Sequence, residues 1–160
     1  MWQDEGYAAG NTDIAAAIEQ LSLMLIEITH LYEHFSEDEL LYKASPTKWS
    51  RQELLGHLTD SAINNLKRFT EAQFAPLPYI TLPYEQDELV RVNHYQQLPA
   101  VHIIFLWRAL NEQILYIIKN MPAEKLGNAV KTEYNNTGVK TLEWLICNYV
   151  EHMKHHMQQM

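Results

Sequence analysis

Cysteine is nearly absent from this 160-residue chain. Cys147 stands alone, so no internal disulfide can form and the expected compartment is a reducing, cytoplasmic one. Glycine and proline are scarce, at five and six residues, which argues against a fold of many tight turns and short strands. Positive charge is also in deficit. Twelve Lys and Arg face twenty Asp and Glu, for a formal charge of −8, and no basic stripe offsets it. That balance repels nucleic-acid phosphates and anionic membranes, so neither is expected as a partner. The start, Met1-Trp2-Gln3-Asp4-Glu5-Gly6, has no basic segment followed by an apolar one, and so does not read as a signal peptide. Charges are expected to break the apolar runs short of membrane-spanning length. Asn135-Asn136-Thr137 fits a glycosylation sequon and reads as a coincidental polar turn.

What the chain does have is apolar residues, 47% of the total, at helical spacing. Ile14, Ile18, Leu21, Leu25, Ile28 and Leu31 form one stripe, predicting a helix from about Thr12 to Phe35. Ser50-Arg51-Gln52-Glu53 reads as a capping box opening a second helix, with Leu54, Leu55, Leu58, Ala62, Leu66 and Phe69 as its stripe. A third helix is predicted from about Ala100 to Met121, ended by Pro122, on Ile103, Leu106, Trp107, Leu110, Ile114 and Ile117. The fourth starts after Thr141 on Leu142, Leu145, Ile146, Tyr149 and Met153. Between the second and third lies a long segment with Pro76, Pro78, Pro83 and Pro99. Its first part is expected to be extended, and Glu85 to Gln96 is a candidate short helix. The prediction is all-α: one domain, residues 1–160, built as a four-helix bundle.

Three of the eight histidines are placed informatively. His152 and His156 are four apart, so their side chains leave one face of the last helix a turn apart, a spacing suited to a shared metal. They continue the apolar line Leu145–Tyr149 toward the core, where an imidazole needs a hydrogen bond or a metal. His57 lies two turns into the second helix, at the edge of its apolar stripe. It comes level with the pair only if the second and fourth helices are antiparallel. The long proline-bearing crossover permits this by restarting the third helix in the direction of the second, giving up-down-down-up. Three neutral imidazoles with an open position suit Zn²⁺, Ni²⁺ or Fe²⁺ rather than Mg²⁺ or Ca²⁺. A cation there lowers the pKa of a bound water or thiol.

An i, i+4 histidine pair often arises by chance. Asp60, one turn after His57, is a candidate outer partner or base, with an ordinary surface carboxylate the more common case. His155 reads as a solvent-facing neighbour, and His30, His34, His94 and His102 as surface or hydrogen-bonded residues. Cys147 reads as a small core residue, and Trp49, Trp107 and Trp144 as core or helix-entry aromatics.

Lys48-Trp49-Ser50, then Glu53-Leu54-Leu55-Gly56-His57-Leu58-Thr59-Asp60-Ser61 and Arg68-Phe69, resembles the second-helix pattern of the DinB/YfiT-like superfamily. Tyr149 with His152-Met153-Lys154-His155-His156 resembles its last-helix pattern, and Leu82-Pro83-Tyr84 its linker. The resemblance implies an up-down-down-up bundle holding one divalent metal, often nickel or zinc, through His57, His152 and His156. It also implies a homodimer. The leading expectation is a low-molecular-weight-thiol S-transferase acting on a small electrophile in detoxification or stress. The alternatives are a metal-dependent hydrolase and a non-catalytic metal-binding stress protein. Asn64 and Asn65 depart from some relatives, which leaves the metal ligands intact and the substrate pocket open.

Overall fold

The computed structural model describes residues 12–132 and 138–160. The sequon and the first residues lie outside that range. Four long helices carry the core: α1 (Ile14–His34), α3 (Arg51–Glu71), α5 (Ala100–Lys119) and α7 (Leu142–Met157). Each starts within two residues of the sequence prediction. Side chains close three of the N-termini. Asp13 accepts from the amides of Ala15 and Ala16, Thr141 from that of Trp144, and Ser50 forms the full capping box with Glu53.

Three small helices also appear: α2 (Glu37–Leu41), α4 (Gln86–Val92) and α6 (Ala123–Leu126). Of these, only α4 was anticipated. A three-stranded sheet, not anticipated, pairs β1 (Tyr79–Thr81) in parallel with β2 (Ala129–Thr132), and β2 antiparallel with β3 (Val139–Thr141). The register sets Tyr79 opposite Val130 and Ala129 opposite Thr141. The sheet ties the crossover to the segment entering α7.

Contacts fix the helix directions. Arg51 Nε donates to the Met160 carbonyl, His57 meets His152 and His156, and the Phe69 ring meets Tyr149 edge-on. Positions rising along α3 thus fall along α7, so the two are antiparallel. Gln52 donates to the Leu98 carbonyl just before α5, while Tyr149, beside Phe69, donates to Asn111 within α5. Hence α5 runs with α3. Tyr32, near the end of α1, donates to the Arg51 carbonyl at the start of α3, so α1 runs against it.

The interior is apolar and closely filled. Leu21, Ile28, Leu55, Leu58, Phe69, Ile103, Trp107, Ile114, Ile146 and Met153 are almost wholly buried. Leu106, counted on the α5 stripe from sequence, is exposed instead. A second correction concerns apolar length. By length and composition alone, α1 and α5 are long and apolar enough to cross a membrane. In the fold each turns a helical stripe into the bundle: Leu21, Leu25 and Ile28 on α1, Ile103, Trp107 and Ile114 on α5.

Every residue from Gln52 to Ala62 is buried, although a helix at a bundle's edge ordinarily shows one face to water. The cause is the crossover. After α4 the chain passes through His94 in a left-handed conformation into a 3₁₀ turn, Tyr95–Gln97, which lies on the outer face of α3. Gln52 donates to the carbonyls of Tyr95 and Leu98, Ser50 donates to Gln96, and Gln96 donates to the Leu41 carbonyl. Gly56 makes the approach possible, since a Cβ at that position would lie 2.2 Å from the Tyr95 ring.

Gly56→Ala therefore lowers stability. Alanine gains about 1 kcal/mol in helix propensity. Displacing the root of a packed ring costs roughly 1–3 kcal/mol, and crossover contacts are lost with it. Urea unfolding checks this, and a variant more stable than wild type would contradict the packing described.

Candidate metal centre

His57 sits on the part of α3 that faces α7, and its ring is wholly buried. His152 and His156 leave α7 a turn apart, the first partly exposed and the second buried. The three Nε2 atoms converge. His57 Nε2 lies 3.4 Å from His152 Nε2, which lies 3.1 Å from His156 Nε2. One ligand atom from each residue falls within 4.8 Å of the others. Among the described residues this is the group of three or more His, Cys, Asp or Glu side chains close enough to share an ion.

Neighbours hold the rings in place. Trp49, the residue before the α3 cap, packs on the His57 ring with centroids 4.7 Å apart. Gln159 Oε1 lies 3.1 Å from His156 Nδ1, so Nδ1–H donates to the amide oxygen and the Nε2 lone pair is left facing the cluster. Trp49 was expected as a core or helix-entry aromatic, without a tie to His57, and Gln159 was not anticipated at all. The cues were that Gln159 follows His156 by one turn and that Trp49 adjoins the cap. His155, expected to face solvent, is half-buried, with Nε2 2.7 Å from Gln159 Nε2.

The electrostatics keep the imidazoles neutral. Burial, then the neighbouring His152 and His156, push His57 well below the ordinary histidine value. Burial, then His156 and His155, push His152 down to about 3. Burial lowers His156 as well, against a raising hydrogen bond from Gln159. Three uncharged nitrogens aimed at one point form a donor set that fits a borderline divalent cation.

Asp60 is not the surface carboxylate that was the more common expectation; it is 3% exposed. Its Oδ1 accepts from Tyr95 OH at 2.7 Å and from Asn93 Nδ2 at 2.9 Å. Burial raises its pKa to about 6, opposed by those two hydrogen bonds. His155 borders the triad, its ring centroid 5.4 Å from that of His156, but is not one of the three converging ligands. His30 and His34 share the four-residue spacing on α1, with ring centroids 4.2 Å apart, but both are exposed. Cys147 is buried and free, and burial raises its thiol, which fits a packing role. None of the three histidines lines the groove between α1 and α7 formed by Leu23, Met24, Glu27, Lys154 and Met157.

A helical bundle with three histidines converging from two antiparallel helices defines the class of protein. The chain belongs to the DinB superfamily, whose model matches residues 20–160. It is 26% identical over 145 residues to a "putative metal-dependent hydrolase" of Halalkalibacterium halodurans, covering 91% of this chain and 82% of that protein. Among solved structures it resembles YfiT from Bacillus subtilis, described as "a probable metal-dependent hydrolase with an unusual four-helix bundle topology". The TM-score is 0.79 at 17% identity, over 90% of this chain and 81% of YfiT. It also resembles a mycothiol-dependent maleylpyruvate isomerase, with a TM-score of 0.69 at 12% identity, over 91% of this chain and 60% of the isomerase.

The depressed histidines make apo-protein stability depend on pH. Between their folded and unfolded pKa values the unfolded chain binds more protons, so stability falls as pH drops below about 6.5. Asp60, raised when folded, acts in the opposite direction below about 6, but as one group against three. The thermal midpoint of metal-free protein is expected to fall from pH 7 to pH 5, with a shallower slope in His152→Ala. A flat profile would contradict the neutral, buried triad.

Proposed function

We propose that the protein is a divalent-metal-dependent enzyme that activates a small nucleophile at the open side of the His57–His152–His156 triad. The observation that carries this reading is the convergence of three neutral Nε2 atoms from α3 and α7. Three protein ligands leave a coordination position for a reactant, unlike a closed four-ligand structural site. A bound Zn²⁺, Ni²⁺ or Fe²⁺ supplies positive charge that favours the deprotonated form of that reactant. The chain's own residues do the rest. The histidines hold the ion in one geometry, Gln159 fixes the His156 tautomer, and Trp49 covers the His57 ring against solvent.

The nucleophile we favour is a low-molecular-weight thiol. Its sulfur bonds to an electrophilic carbon, the bond to the leaving group breaks, and the thiol proton passes to solvent. Borderline-soft cations on imidazole ligands suit a thiolate, and the isomerase that resembles this chain is thiol-dependent by its description. The second reading is hydrolysis with water as the nucleophile, favoured by the descriptions of the Halalkalibacterium protein and of YfiT.

Metal analysis of native protein is expected to give one ion per chain, and His57→Ala should lose it. Loaded enzyme is then assayed on a panel of electrophiles and esters, with and without thiol. Turnover that requires thiol and varies with its identity fits the transferase. Turnover of esters without thiol selects the hydrolase. Full metal content in His57→Ala, or bound metal with no turnover of either kind, counts against the proposal.

A further inference from the structure

Two buried polar atoms one turn apart on α3 have no hydrogen-bond partner: His57 Nδ1 and Asp60 Oδ2. Their chemistry is complementary. His57 Nε2 faces the other two imidazoles, so to offer them a lone pair the ring must carry its proton on Nδ1. That makes Nδ1 a buried donor without an acceptor, which ordinarily costs about 1–3 kcal/mol. Asp60 Oδ2 is a buried acceptor without a donor, since Tyr95 and Asn93 both engage Oδ1. Residues three apart on a helix have Cβ atoms roughly 5–6 Å apart on adjoining parts of one face. A single water making two hydrogen bonds of about 2.8 Å joins polar atoms up to roughly 5.6 Å apart, which is within reach of side chains so placed.

Resting on the metal-enzyme reading, we infer that Asp60 is a positioning residue for His57, its Oδ2 receiving the Nδ1 proton through one bridging water. The crossover then has a function besides closing the fold. Tyr95 lies against Gly56 and Asn93 ends α4, and together they clamp one carboxylate oxygen so that the other is left for His57. Carboxylates behind ligating histidines fix the tautomer and raise ligand basicity, and their removal typically weakens metal affinity roughly 10- to 100-fold.

Cobalt(II) affinity, measured by competition with a chelating dye, tests this in wild type, Asp60→Asn and Tyr95→Phe. Asp60→Asn is expected to bind about 10- to 100-fold more weakly. Tyr95→Phe, which keeps the carboxylate and the Asn93 clamp and loses only the hydroxyl, should weaken binding clearly less than Asp60→Asn. Equal affinity in wild type and a folded Asp60→Asn would overturn the inference. So would a loss in Tyr95→Phe as large as that in Asp60→Asn, because it would signal general loosening. If Asp60→Asn does not fold, the ¹⁵N spectrum of metal-free wild type decides. A slowly exchanging Nδ1 proton on His57 supports the link, and an Nε2–H tautomer overturns it. Failure of wild type to bind cobalt would instead count against the metal-enzyme reading, while the tautomer still reports on Asp60.

Discussion

The packing of α7 against α3 forces three imidazoles to face one another where little water can reach them. With Nε2 atoms 3.1 and 3.4 Å apart, two protonated rings would repel by about 5 kcal/mol at an effective dielectric of 20. The cluster must therefore stay neutral or share a cation. Much else in the molecule serves that condition. The antiparallel run of α3 and α7 brings His57 level with His152 and His156. The core residues Leu58, Phe69, Tyr149 and Met153 hold the two helices in that register. Trp49 and Gln159 fix two of the rings.

The direction of α3 relative to α7 depends on the chain between α3 and α5. A short connection would turn α5 back and leave α3 parallel to α7 in a simple up-and-down bundle. Here β1, α4 and the 3₁₀ turn carry the chain back along α3 before α5 begins. The same segment buries the outer face of α3, with Gly56 admitting the Tyr95 ring and Asp60 receiving its hydroxyl. Topology and electrostatics meet in that contact, because the segment that permits the antiparallel pairing also encloses Asp60 in a low-dielectric setting.

The four long helices were legible because each carries a stripe of several turns and most carry a side-chain cap. Ser50 with Glu53, and Thr141, mark two starts to the residue. The sheet was not legible. Strands of three or four residues are too short to show alternation, and β1 pairs with a partner some fifty positions away. The triad was half-legible. The spacing of His152 and His156 is plain, yet His30 and His34 have the same spacing and form an exposed pair on α1. Burial and a third imidazole separate the two cases, and both depend on distant chain. The burial of Asp60 was illegible for the same reason. Its cover comes from Asn93 and Tyr95, and the one local cue, a glycine inside a helix at position 56, does not say what will lie against it.

X-ray absorption at the metal edge, on protein loaded with one equivalent of Zn²⁺ or Co²⁺, addresses the central claim most directly. Three imidazole nitrogens at about 2.0–2.1 Å plus an exchangeable light-atom ligand are predicted. Addition of a low-molecular-weight thiol is predicted to introduce sulfur at about 2.3 Å if thiol is the nucleophile. A spectrum with two imidazoles or fewer, or one unchanged when His57 is replaced, would contradict the triad as the metal centre.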